Sequence, residues 1–81
     1  MITAAQLKAA RALLGIDQRA LAEAADLSLP TIQRMESSDG PIRGNIDSLV
    51  KLIAALETAG VELIGEGAVS EGGGRGVRLK N

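Results

Sequence analysis

The chain contains no cysteine, no histidine, and no phenylalanine, tyrosine or tryptophan. Without cysteine there is neither a disulfide framework nor a thiolate metal site. Without histidine the usual proton shuttle and the commonest metal ligand are both missing. Carboxylates, hydroxyls and amines are left for any chemistry, so neither an enzyme nor a cofactor is expected. Without aromatics the core must be built from Leu, Ile, Val, Met and many Ala, a set suited to closely packed helices. No apolar run approaches the roughly 20 residues of a membrane span, and the start of the chain lacks a basic segment followed by a long apolar one, so a cytoplasmic location is expected. Excess charge is lacking as well. The net charge is −1 and the pI about 5.3, where a nucleic-acid binder typically shows a basic footprint. Through Gly44 the balance is neutral, with Lys8, Arg11, Arg19, Arg34 and Arg43 against Asp17, Glu23, Asp26, Glu36 and Asp39. Acids placed in caps and internal pairs would still leave a modest positive face.

At 81 residues a single domain is the upper limit, and one core of that size is only marginally stabilising, which makes a partner subunit a natural expectation. Thr3 and Gln6 form a capping box, and Ile2 with Leu7 has the spacing of a hydrophobic staple. The first helix then carries Leu7, Ala10 and Leu14 on one face and stops at Gly15. Asp17 caps a second helix that runs to about Ala25, with Ile16 and Leu21 repeating the staple. After the short turn Asp26-Leu27-Ser28, Ser28 caps a third helix with Pro30 in its first turn and Leu27 and Ile32 as a third staple. That helix continues to about Ser37. The loop Ser38-Asp39-Gly40-Pro41 follows, and Asn45 caps a fourth helix with an expected core stripe of Ile46, Leu49, Val50, Ile53 and Leu56. Gly60 ends it. Beyond it, Val61 to Ile64 and Val77 to Lys80 alternate as strands, with Gly65, Gly67 and Gly72 to Gly74 between them.

Gln18 to Glu36 is the stretch around which the rest is organised. A tight pair of helices needs a small residue at the crossing, a residue tolerant of the left-handed region in the turn, and apolar positions pointing inward. Ala22, Asp26, Leu27, Ile32 and Met35 meet these demands in order, with Asp26 the least comfortable of them. The residues Leu14-Gly15-Ile16-Asp17-Gln18, Leu21-Ala22, Leu27-Ser28, Thr31-Ile32 and Glu36 together resemble the Cro and phage-repressor type of helix-turn-helix regulator, also called the xenobiotic-response-element family. The likeness extends over roughly Thr3 to Leu56.

That resemblance implies a compact four-helix, repressor-like domain over residues 1–60, mainly α, with its third helix (about 28–37) in the major groove of double-stranded DNA. It also implies a homodimer on a near-palindromic operator. By position it assigns Leu29, Pro30, Gln33 and Arg34 to base reading, chiefly Gln33 and Arg34. Arg can bond guanine O6 and N7, Gln can bond adenine N6 and N7, and Leu29 can meet a thymine methyl. Gln18 matches the helix-start residue that bonds a phosphate, and Arg19, Arg43 and Asn45 are further phosphate candidates. Arg11 and Glu36 match a structural salt bridge between the first and third helices.

Residues 61–81 form a C-terminal β element that lies outside the core pattern. Three readings apply to it: a dimerising strand pair, a hairpin folded back on its own helices, or a flexible appendage. The first is preferred because the apolar rows Val61, Leu63, Val77 and Leu79 are too short to be stable alone. Gly72-Gly73-Gly74-Arg75-Gly76 lacks the preceding strand, following helix and lysine of a phosphate loop, and reads as a connector. The resulting expectation is a small DNA-binding transcriptional regulator of the repressor type. The alternative is a protein-binding module on the same fold, an antitoxin or anti-activator that pairs through its C-terminal strands with a protein partner.

Overall fold

The computed structural model describes residues 2–64 and 76–79. The glycines at 65, 67 and 72–74, with Arg75 and Lys80, lie outside the described residues, and of the connector read there only Gly76 is described, in a strand where it pairs with Ile64. Four helices and a two-stranded antiparallel sheet follow one another in the order α1 (Ala4–Leu14), α2 (Gln18–Ala25), α3 (Leu29–Glu36), α4 (Ile46–Thr58), β1 (Val61–Ile64) and β2 (Gly76–Leu79).

Each helix starts where a side chain accepts a hydrogen bond from an N–H of the first turn. The acceptors are Thr3 for Gln6, Asp17 for Ala20, Ser28 for Thr31 and Asn45 for Ser48. Thr3 and Gln6 complete the reciprocal capping box, the Thr3 N–H donating to Gln6 Oε1 at 2.9 Å. Gly15 ends α1 in the left-handed conformation (φ 68°), and the Ile16 N–H reaches back to the Arg11 carbonyl at 3.2 Å.

The core gathers one face of every helix. Leu7, Ala10, Leu21, Ala22, Ile32, Met35, Leu52 and Leu56 are buried there together with Ile2, Ile42 and Val61. Ile42 takes its place because residues 40–42 run beside residues 2–4. The Ala4 N–H donates to the Gly40 carbonyl at 2.9 Å and the Ile42 N–H to the Ile2 carbonyl at 3.1 Å. What reads as a plain loop is therefore pinned to the start of the chain and contributes a core side chain.

Helix α4 departs from the expected stripe. Its inward side is Leu49, Leu52 and Leu56, whereas Ile46 is 76% and Val50 59% exposed. The two sets lie roughly 100° apart around the helix. Because α4 is apolar on more than one side, periodicity alone cannot say which side faces the core.

In the sheet, Val61 pairs with Leu79, Glu62 with Arg78, Leu63 with Val77 and Ile64 with Gly76. Alternation puts Val61, Leu63, Val77 and Leu79 on one face. Val61 is wholly buried, Leu63 and Val77 pack against the core, and Leu79 overhangs it, half exposed. On the other face, Arg78 Nη2 donates to Glu62 Oε1 across the strands at 2.7 Å.

Candidate nucleic-acid interface

The turn between α2 and α3 is set by Asp26, the one non-glycine residue with positive φ (55°) among those described. Its N–H bonds the Ala22 and Glu23 carbonyls, and the next N–H, of Leu27, returns to the Ala22 carbonyl at 2.9 Å. This left-handed cap reverses the chain within three residues. Leu27 is half-buried against the core as a plug, and Ala22 is small enough to be buried in the core where the two helices come together.

Helix α3 then divides cleanly. Ile32 and Met35 have no exposed surface, while Pro30, Gln33 and Arg34 face solvent and Leu29 is half-buried. Arg34 rests one guanidinium nitrogen 3.5 Å from Thr31 Oγ1, whose hydroxyl lies 2.8 Å from Ser28 Oγ. The Arg34 carbonyl, left unbonded by the end of the helix, accepts from the hydroxyls of Ser37 and Ser38. The outward face thus offers an amide and a guanidinium on a rigid helix, the two groups that bond adenine and guanine edges in pairs.

The phosphate candidates are less uniform. Arg19 and Arg43 are exposed and lie outside the ion pairs formed among the described residues, which join Arg11 to Glu36, Lys51 to Asp26 and Arg78 to Glu62. Asn45 spends its side-chain carbonyl on the Ser48 N–H at 2.8 Å. Gln18 is half-buried, and its Nε2 donates to Glu36 Oε1 at 3.1 Å. A primary amide has a second hydrogen to give, so the bond orients Gln18 without exhausting it.

Glu36 is the junction of the helix pair. Arg11 grips its carboxylate with two nitrogens, Nε to Oε2 at 2.8 Å and Nη2 to Oε1 at 3.0 Å, while Gln18 adds the third bond. The carboxylate side chain is 5% exposed and the arginine 25%. Burial by itself pushes the carboxyl up, but bonds from Arg11 and Gln18 and the positive charges of Arg11 and Lys8 outweigh it, leaving Glu36 below the ordinary glutamate value. The Arg11 guanidinium moves upward, chiefly through its bond to Glu36. One carboxylate therefore ties α1, the start of α2 and the end of α3 together. The bond from Gln18 spans 18 positions, and no local spacing announces it.

The four residues read from the sequence as dimer contacts are placed differently from one another. The strands pair within the chain, and Val61, with no exposed surface, is committed to its own core. A side chain covered in this way cannot reach a second chain unless the strands come away. Of the four, Leu79 is the most open, at 49%.

The sequence reading saw Gln6 only as half of a capping box. It is 6% exposed, and its Nε2 donates to the carbonyls of Ile64 at 2.9 Å and Gly76 at 3.0 Å, two residues that pair with each other. A single amide thus clamps both strands to the first helix. Separations of 58 and 70 residues put this beyond any local pattern.

A helix pair joined by a left-handed cap, with its second member buried along one side and polar along the other, defines a helix-turn-helix DNA-binding domain. A helix-turn-helix family model matches residues 7–63, and the chain belongs to that family, the Cro and repressor type of DNA-binding transcription regulator. No curated relative matches the chain. No helix among the described residues is long and apolar enough to cross a membrane.

Proposed function

We propose that the chain is a cytoplasmic transcriptional repressor that binds a near-palindromic operator as a homodimer, with α3 in the major groove. The observation that carries this reading is the outward face of α3. Gln33 and Arg34 stand free of the core on a helix whose end is held by the Arg11–Glu36–Gln18 junction. Gln33 and Arg34 read base edges, and Leu29 and Pro30 supply apolar contact at the helix start. Gln18, Arg19, Arg43 and Asn45 position the backbone by bonding phosphates. With a net charge of −1 the protein has little non-specific hold on DNA, so discrimination rests on the operator contacts.

The direct test is binding to fragments of the DNA upstream of its own coding sequence at two salt concentrations. Affinity for one fragment falls steeply between about 50 and 200 mM salt, and binding blocks transcription from it. Absence of salt-sensitive binding to every fragment would sink the reading. A second reading is favoured by the sheet, which among the described residues has only two strands, with β2 paired on one side: β2 adds to the sheet of a protein partner, as in an antitoxin. That partner would be retained when Arg34→Ala weakens binding to the operator.

A further inference from the structure

The first turn of α3 carries a run of polar contacts that leads to Arg34. The hydroxyls of Ser28 and Thr31 lie 2.8 Å apart, and the Ser28 hydroxyl also accepts from the Thr31 N–H at 3.3 Å. From the other side, Arg34 Nη2 donates to Thr31 Oγ1 at 3.5 Å. Thr31 and Arg34 are three positions apart, neighbours on one face of the helix. Thr31 is half-buried, and so less free to turn than the exposed arginine that it meets. The main chain of Arg34 is held too, its carbonyl accepting from the Ser37 and Ser38 hydroxyls at 3.0 and 3.3 Å. Among the described residues no carboxylate pairs with Arg34, and the partner of its guanidinium is that neutral hydroxyl.

We propose that Thr31 is a positioning residue for sequence reading: its hydroxyl holds the Arg34 guanidinium over the first turn of α3 before DNA arrives. The proposal rests on the functional reading above, in which Arg34 meets a base edge. The direction of the contact suits the task. A side chain drawn toward Thr31 runs back along the helix to its N-terminal end, the part of a recognition helix that meets bases. The chemistry suits it as well. A guanidinium that gives one N–H to an oxygen keeps donors enough for a paired bond to guanine O6 and N7. A carboxylate at the same place would grip the guanidinium more firmly, but would offset its charge and repel the phosphates. A hydroxyl restrains the arginine and leaves it cationic. At 3.5 Å the bond is weak, so it narrows the range of arginine rotamers without fixing one. What it saves is a share of the side-chain entropy that the arginine otherwise loses on binding.

The experiment measures the affinity of the full chain for its best-bound upstream fragment and for a scrambled one. The readout is the ratio of the two, because a loss of folded protein lowers both affinities alike. Thr31→Val removes the hydroxyl and keeps the shape, while Ser28 still caps the helix through the main-chain N–H at position 31. It lowers the ratio roughly threefold to tenfold. Thr31→Ser keeps the hydroxyl and restores the ratio. In an Arg34→Ala background Thr31→Val has no further effect, since the hydroxyl acts only through the guanidinium. Without DNA, the NMR order parameter of the Arg34 Nε–H falls in Thr31→Val and not in Thr31→Ser. A Thr31→Val protein with an unchanged ratio, beside an Arg34→Ala protein whose ratio drops, overturns the proposal and leaves Arg34 as a base reader. Equal losses from Thr31→Val with and without Arg34 overturn it too, making Thr31 a DNA contact in its own right. So does a Thr31→Ser protein as impaired as Thr31→Val, or an Arg34 order parameter common to all three proteins. An Arg34→Ala protein with an unchanged ratio, or a wild type that binds no fragment, removes the base-reading assignment itself and this role with it.

Discussion

Gln6 and Glu36 are the buried polar side chains of the described core, and they do similar work by different physics. Glu36 accepts three hydrogen bonds and the Gln6 side chain takes part in four, and each joins parts of the chain that local structure leaves separate. Glu36 holds α1, α2 and α3 through a charge, gripped by a guanidinium that reaches solvent. Gln6 holds the C-terminal strands to α1 through neutral amide bonds to two carbonyls. A buried charge stabilises only while its partner is present, and its loss is costly. A neutral amide risks less and can be lost locally. The helix pair that meets DNA is thus locked to the frame by the stronger and more demanding device, and the strands by the milder one.

The largest effect should come from Arg11→Ala. It leaves the Glu36 carboxylate buried with Gln18 alone and should cost about 3–5 kcal/mol in chemical denaturation. Glu36→Gln should cost less, about 1.5–3 kcal/mol, because Arg11 is already a quarter exposed and can turn to water. Equal losses would erase the distinction between charged and neutral anchors. Gln6→Ala should cost about 2 kcal/mol by leaving the carbonyls of Ile64 and Gly76 without their donor. Hydrogen exchange should then quicken in β1 and β2 while α2 and α3 stay protected. Uniform loss of protection across the chain would mean that Gln6 supports the whole core rather than the strands.

Acid sharpens the same contrast with the smallest perturbation. Glu36 ionises below its ordinary value in the folded chain, so its contribution is complete above the unfolded glutamate value, about 4.3. It is lost as pH falls through the lower folded value. Wild type and Glu36→Gln should converge in stability at low pH, while wild type and Gln6→Ala keep their separation. A gap between wild type and Glu36→Gln that is constant with pH would show that the charge is not what Glu36 contributes.

Much of the frame was legible because its signals are local. Thr3, Asp17, Ser28 and Asn45 each act within three residues of themselves, and Gly15 and Asp26 mark their turns by the conformation they must adopt. The pairing of Arg11 with Glu36 and the outward positions Gln33 and Arg34 came through the family likeness, since no spacing in the chain links α1 to α3. The inward side of α4 was misread because Ile46 and Val50 fit a helical stripe as well as Leu52 and Leu56 do; only packing against α2 and β1 distinguishes them. Ile42 and the strand clamp of Gln6 depend on contacts far along the chain, and periodicity carries no trace of either. The residues that escaped local reading include the one that holds the C-terminal strands to the first helix.

The central claim is that the exposed face of α3 reads DNA sequence, and Arg34→Ala tests it most directly. Its affinity should be measured on the operator fragment and on a scrambled fragment at one salt concentration. The account predicts that the free-energy gap between the two fragments, which their affinity ratio measures, narrows by about 1–3 kcal/mol while the melting temperature holds, since Arg34 is exposed. A ratio unchanged from the wild type would contradict it.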